Sequence, residues 1–241
     1  MPATDGAAFR RVLDLLGRAI VAGELAPGSA DTVDAIVART GASRPVVREA
    51  TRVLVSLGML SAGRRVGLRV RPRAEWDLLD PQLIRWRLAS PDRPAQLEEL
   101  LGLRLAVEPE AARRASARRT DADLAGLREA TAALAAATRA RDRQAFLAAD
   151  SRLHGLLLAA AGNAMLARLG AVIDEALRER TPDGGMRWAV AIGDVAEHEA
   201  LVAAVATGDA DDAATIMRRI VDPAPLRSPN RASRPHDAST P

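Results

Sequence analysis

Gly41-Ala42-Ser43-Arg44-Pro45-Val46-Val47-Arg48-Glu49-Ala50-Thr51-Arg52-Val53-Leu54-Val55-Ser56-Leu57-Gly58-Met59-Leu60, residues 41–60, decides how the N-terminal part of the chain is read. Thr40-Gly41-Ala42 is a short turn, and Ser43 followed by Pro45 opens a helix as a capping residue and an early proline do. Val46, Ala50, Val53, Leu54 and Leu57 then fall on one helical face, while Arg44, Arg48 and Arg52 recur every four residues on the other. One face packs and the other presents three guanidiniums in a row. A solvated arginine face on an ordinary amphipathic helix has the same pattern. The segments on either side favour a helix-turn-helix, whose second helix carries forked donors into a DNA major groove.

Upstream, Phe9, Val12, Leu13, Leu16 and Ile20 form the apolar stripe of a first helix over about 7–21, which the Gly23-Glu24-Leu25-Ala26-Pro27-Gly28 turn ends. A short second helix over 32–39 packs through Val33, Ile36 and Val37. Downstream, Ala62-Gly63-Arg64-Arg65 reads as the turn of a hairpin joining Met59-Leu60-Ser61 to Leu68-Arg69-Val70, with Gly67 where the second strand begins. Three helices and a two-stranded wing make a winged helix-turn-helix over 1–73. Its DNA-facing set is Ser43, Arg44, Arg48 and Arg52 on the helix and Arg64, Arg65, Gly67 and Arg69 on the wing, the wing arginines lying along phosphates or the minor groove.

Charge supports this division. Residues 1–73 carry a net charge of +6 and the remainder −3, within a total of +3. Every basic side chain is Arg, the better residue for bidentate contacts to bases and phosphates. The chain has 241 residues, enough for two modest domains, and is 48% apolar with only 2% aromatic residues, which favours packed helices over sheets. Without cysteine it has neither a disulfide framework nor a thiolate metal site. No uncharged run approaches a membrane span and no apolar segment follows the N-terminal charges, so a soluble cytoplasmic protein with no membrane partner is expected.

After a linker at 74–80 the pattern is helical from 81 to 222, broken at Ser90-Pro91-Asp92, Thr120-Asp121, Arg141-Asp142, Gly162-Asn163, 181–185 and Gly208-Asp209. Six or seven helices with short connections make an antiparallel bundle, so the fold class is mainly α. Residues 223–241 are rich in Pro, Ser and Ala without an apolar period, and read as a disordered tail. Inside the bundle pattern, Asp150 and His154 sit four residues apart among Phe146, Leu153 and Leu157. His198 lines up with Leu201, Val202 and Val205. Polar groups on apolar faces need partners. Two readings stay open: a divalent metal such as Zn²⁺ held by the aspartate and imidazoles, or a buried Asp-His hydrogen bond with no metal.

Several motifs carry a family resemblance. The GELAPG turn, the SRPVVREA core and the glycine-bearing wing resemble the DNA-binding domain of the GntR family of bacterial transcription regulators. Trp76-Asp77-Leu78-Leu79-Asp80-Pro81, continuing to Ile84-Arg85-Trp86, resembles the linker of its FadR-like subgroup, in the branch of galactonate and other sugar-acid repressors. The resemblance runs to about Asp222 and implies that the bundle is an FCD effector domain, with Leu97-Glu98-Glu99-Leu100 through Arg104 and Glu108 on its first long helix. It implies a metal set of one aspartate and three histidines, matched by Asp150, His154 and His198, whereas the fourth position falls on Ile220, which cannot ligate. It also implies an effector site containing Arg104, Asp150, His154, Asn163 and His198, with Arg180 and Thr181 matching the sugar-acid branch and Trp188 a weaker match. Arg104 is alternatively an ion-pair partner of Glu108 or Glu99 on the helix surface, and Asn163 a helix terminator. Where relatives begin the second helix with an arginine-bearing sequence, this chain has Ala30-Asp31-Thr32-Val33-Asp34-Ala35, so a base-contacting arginine is replaced by Asp34.

The function expected from these observations is a ligand-responsive repressor. It binds double-stranded operator DNA as a homodimer and releases it when a small carboxylate, a sugar acid or hydroxy acid, enters the bundle. The alternatives are a constitutive DNA-binding dimer whose bundle has lost sensing, and a metal-dependent hydrolase. The hydrolase would need a general base beside the ligands, which the sequence does not offer, and would leave the basic N-terminal part without a role.

Overall fold

The computed structural model describes residues 3–63, 67–179 and 188–222. Arg64 and Arg65 of the wing, Arg180, Thr181 and the break at 181–185, the side chain of Trp188 and the expected tail lie outside the described residues. The chain divides into two compact units, Met1–Leu100 with Ala171–Glu179 and Leu101–Gly170 with Arg180–Pro241.

The first unit begins with three helices, α1 (Ala3–Val21), α2 (Val33–Thr40) and α3 (Arg44–Ser56). Thr32 caps α2, its Oγ1 accepting from the Ala35 amide at 3.1 Å. Gly41 ends α2 in the left-handed conformation, φ 67°, where a side chain would be strained. Ser43 takes the extended backbone of a capping residue but makes no side-chain capping bond, so the preset φ of Pro45 is what the start of α3 relies on. Val12, Leu16, Ile20, Ile36, Val46, Ala50, Leu54 and Met59 are buried together between the three helices.

The wing has one strand more than expected. β2 (Leu60–Gly63) and β3 (Gly67–Val70) form the hairpin, and β1 (Ala30–Asp31) adds to the other edge of β3, giving the antiparallel order β1-β3-β2. Ala30 lies opposite Arg69 and Asp31 opposite Leu68. The Gly28 amide reaches the Val70 carbonyl at 2.8 Å, which continues the pairing into the preceding turn. A strand of two residues has no alternation to display, so periodicity could not announce it.

α4 (Pro81–Leu88), capped by the Asp80 carboxylate on the amides of Gln82 and Leu83, packs on α1. Trp86 is buried against Gly17, where an added Cβ would come within 2.6 Å of the indole ring, and its Nε1 donates to Asp14 at 2.9 Å. Arg87, only 1% exposed, donates to Asp92 and Glu99 at 2.7 Å each, and Arg73 also donates to Glu99. These pairs tie the segment after β3 to α4 and to the start of α5 (Arg93–Arg118).

Among the described residues the second unit contains the rest of α5 with α6 (Asp121–Ala140), α7 (Arg143–Ala160), α8 (Ala164–Arg168), α10 (Trp188–Thr207) and α11 (Ala210–Val221), while α9 (Gly170–Arg178) falls almost wholly in the first unit. The starts of α5, α6, α7, α8 and α11 follow the sequence breaks, whereas α9 begins at Gly170 without one. Thr120 and Asp123 form a capping box, and Asp142, Asn163 and Asp209 cap α7, α8 and α11. Ala112, Ala115, Ala130 and Ala213 are fully buried among Leu127, Leu153, Leu157, Leu201 and Met217, small side chains that let the helices approach closely.

Gly58 marks the exit from α3. Its φ is 72°, and a Cβ there would stand 2.1 Å from the Glu75 carbonyl oxygen. Gly58→Ala combines a strained backbone with an overlap against main chain, so the unfolding free energy measured by urea titration is expected to fall by about 2–4 kcal/mol.

Candidate functional site

The first candidate site is the outer face of α3. Arg44, Arg48 and Arg52 are exposed, and with Pro45 and Glu49 they line a shallow groove along the helix. The buried Val46, Ala50 and Leu54 opposite them fix which way the arginines point. Arg44 is not free: its Nη2 lies 2.6 Å from Asp34 Oδ1 across the turn from α2. On the wing, Arg69 is exposed and its Nη1 donates to the Gly28 carbonyl at 2.5 Å, while Gly67 opens β3 with φ 72°.

The second candidate site lies inside the helices of the second unit. Asp150 and His154 stand on the buried face of α7 and His198 on that of α10, and all three are essentially inaccessible. Asp150 Oδ1 is 3.5 Å from His154 Nε2 and 3.3 Å from His198 Nε2, and the two imidazole nitrogens are 3.5 Å apart. A tetrahedral ion with bonds of about 2.1 Å separates its ligand atoms by roughly 3.4 Å. The three donors therefore already stand at the spacing of one face of such a tetrahedron.

Glu108 on α5 completes the arrangement. One oxygen bonds His154 Nδ1 and the other accepts from Arg104 Nε at 2.5 Å. This occupies Nδ1 and turns Nε2 toward Asp150 and His198, the tautomer a metal needs. Burial alone would raise the Glu108 carboxyl and depress the His154 imidazole. The opposite charges outweigh it, holding Glu108 at about 2 and raising His154 above its ordinary value. A cation entering here displaces a proton from an imidazole, so its affinity rises with pH through the imidazole range.

Arg104 reconciles its two sequence readings. It does pair with Glu108, but inside the helices rather than on the surface, and among the described residues its buried Nη2 has no hydrogen-bond partner. A buried guanidinium nitrogen left unsatisfied has the chemistry to take an anion. Asn163 is used as a cap, its side-chain oxygen accepting from the amides of Met165 and Leu166. Ile220 is buried in the cluster that contains Leu153, Leu157, Leu201 and Val202, the neighbours of the ligands on α7 and α10.

Comparison with known proteins finds matches to both parts of the chain. Residues 9–70 match the model of bacterial regulatory proteins of the gntR family, and residues 99–223 match the FCD domain. The galactonate operon transcriptional repressor of Escherichia coli (strain K12) is 33% identical over 84% of this chain and 89% of its own. The chain belongs to the gntR family. It is a DNA-binding transcriptional regulator rather than an enzyme, so the hydrolase reading falls away. A probable D-xylose utilization operon transcriptional repressor of Paenarthrobacter nicotinovorans is 31% identical over 83% of this chain and 79% of its own. The Listeria monocytogenes protein Lar, which controls the agr system, matches in fold with a TM-score of 0.58 at 18% identity, over 88% of this chain and 92% of its own.

The site residue that the sequence of this gntR-family chain does not single out is Glu108, which by spacing is a surface ion-pair partner of Arg104 on the first long helix. Its spacing from Ala111, Ala112 and Ala115, all buried on α5, is the signal that it faces inward. If a divalent ion is held by Asp150, His154 and His198, Glu108→Gln is expected to weaken it by roughly 10–100-fold in titrations of metal-stripped protein, since a neutral amide no longer fixes the His154 tautomer.

Proposed function

We propose that the protein is a repressor that binds operator DNA as a homodimer and lets go when a small carboxylate, a sugar acid or hydroxy acid, enters the second unit. Residues 1–73 bind DNA, 74–80 link, and 81–222 bind effector and dimerise in the cytoplasm. Arg44 and Arg48 read bases from α3, Arg52 with the wing residues Arg64, Arg65 and Arg69 neutralises phosphates, and Ser43 and Gly67 are close backbone approaches. The observation that carries the reading is the buried Arg104 Nη2, which lacks a hydrogen-bond partner among the described residues, while Glu108 links Arg104 to His154 and so to the three metal-type donors. The effector carboxylate pairs with Arg104, and its hydroxyl or second oxygen faces Asp150, His154 and His198. The galactonate and D-xylose relatives support a sugar-derived ligand.

Those three donors fit a divalent ion such as Zn²⁺, which would supply a Lewis-acidic contact to the effector oxygens. Glu108 orients His154 and Arg104 neutralises the carboxylate. A homodimer is required because one winged domain covers only a half-site, too little for specific binding at physiological salt.

The test is a thermal-shift screen of sugar acids and hydroxy acids with and without Zn²⁺, followed by operator release measured by fluorescence anisotropy with any hit. A shifted melt with release supports the proposal. Arg104→Ala should then retain operator affinity but need at least tenfold more effector for release. The second reading is a constitutive DNA-binding dimer, and Ile220 is its specific support, since it places hydrocarbon where the family resemblance implies the fourth ligand, a third histidine. Binding of the operator that no screened acid alters, in protein that holds no metal, would favour it. Ile220→His restores a nitrogen on the stripe shared with Ala213, Ile216 and Met217, and is expected to tighten Zn²⁺ at least tenfold by calorimetric titration.

A further inference from the structure

Of the three arginines along α3, only Arg44 is tied to an acid among the described residues. Asp34 Oδ1 takes its Nη2 at 2.6 Å, although the two side chains remain 62% and 61% exposed. Asp34 stands in the first turn of α2, whose start is set by the Thr32 cap, and Arg44 is the first residue of α3. The pair thus spans the turn between the two helices, at the end of α3 that leads into a major groove. An ion pair this exposed contributes little to stability. Its effect is on direction.

We infer that Asp34 is a specificity-determining positioning residue, which acts through Arg44. A carboxylate that holds one end of the guanidinium by charge leaves the rest of the fork available and limits where the long side chain reaches. The remaining donors fit the O6 and N7 acceptors of a guanine. Released from Asp34, the long side chain of Arg44 reaches phosphate instead, where it adds affinity without sequence information. Asp34 itself repels phosphate, which penalises every non-cognate placement of α3. An acid at the front of a DNA-facing helix pair is in this way compatible with tight operator binding, provided Arg44 neutralises it.

The inference rests on the reading of α3 as the base-reading helix, and one experiment separates the two. Full-length wild type selects its operator from random duplexes, and every base pair of one half-site is then substituted. Affinities are measured for wild type, Asp34→Ala, Arg44→Ala, the double variant and Arg48→Ala over a range of salt. Asp34→Ala should lose about tenfold discrimination at one base pair, the one also lost in Arg44→Ala, while its affinity for unrelated DNA rises and its salt dependence steepens by about one phosphate contact. The double variant should discriminate no worse than Arg44→Ala alone. Full discrimination in Asp34→Ala, or losses in the two single variants that add in the double, would overturn the role of Asp34 while leaving α3 as the reader. If neither Arg44→Ala nor Arg48→Ala alters discrimination at any base pair, the reading of α3 itself fails.

Discussion

Two carboxylates, a guanidinium and two imidazoles are enclosed by helices whose inner faces are mostly alanine, leucine, valine, isoleucine and methionine. Burying ionised groups costs several kcal/mol each unless they are paired, and Glu108 is the pairing element. It accepts from Arg104 with one oxygen and bonds His154 with the other, so its charge compensates both neighbours. His154 is thereby fixed in ring orientation, which in turn sets the distances to Asp150 and His198. The result is a polar cluster that is largely preorganised, with one guanidinium nitrogen that has no hydrogen-bond partner among the described residues.

The DNA-facing unit obeys a different constraint. Its arginines must stay in solvent, so their positions depend on what is packed behind them. The turn at Gly41, the cap at Thr32 and the proline at the start of α3 hold two short helices at a fixed angle over Ile36, Val46 and Leu54. On that base even an exposed pair such as Asp34 with Arg44 has a defined geometry. The short edge strand at Ala30–Asp31 contributes in the same sense, since it pairs the start of α2 to the wing through β3.

The two sites therefore differ in how charge is handled, one by exclusion of water and the other by exposure to it. In the buried site a single removed partner leaves an unscreened charge, and effects are large. On the exposed face each contact is weak in the free protein and acquires its value only against DNA, where phosphates and base edges take the place of water. The family assignment is consistent with this division, because the gntR match ends at residue 70 and the FCD match begins at residue 99.

Much of this was legible in the residues themselves. Helical periodicity separated the faces of α1, α3, α7 and α10. Breaks in the helical pattern marked the starts of α6, α7 and α11, where Thr120, Asp142 and Asp209 cap by local hydrogen bonding that depends on neighbours in sequence. Asp150, His154 and His198 stood out as polar residues on apolar stripes, and the stripe shows which way a side chain faces. What faces it from another helix is a different matter. The inward direction of Glu108, the unsatisfied nitrogen of Arg104, the pairing of Asp34 with Arg44 and the third strand at Ala30–Asp31 each depend on residues brought together from separate elements. Periodicity in one segment carries no information about its partner's register, so only the packed structure decided which of these groups meet.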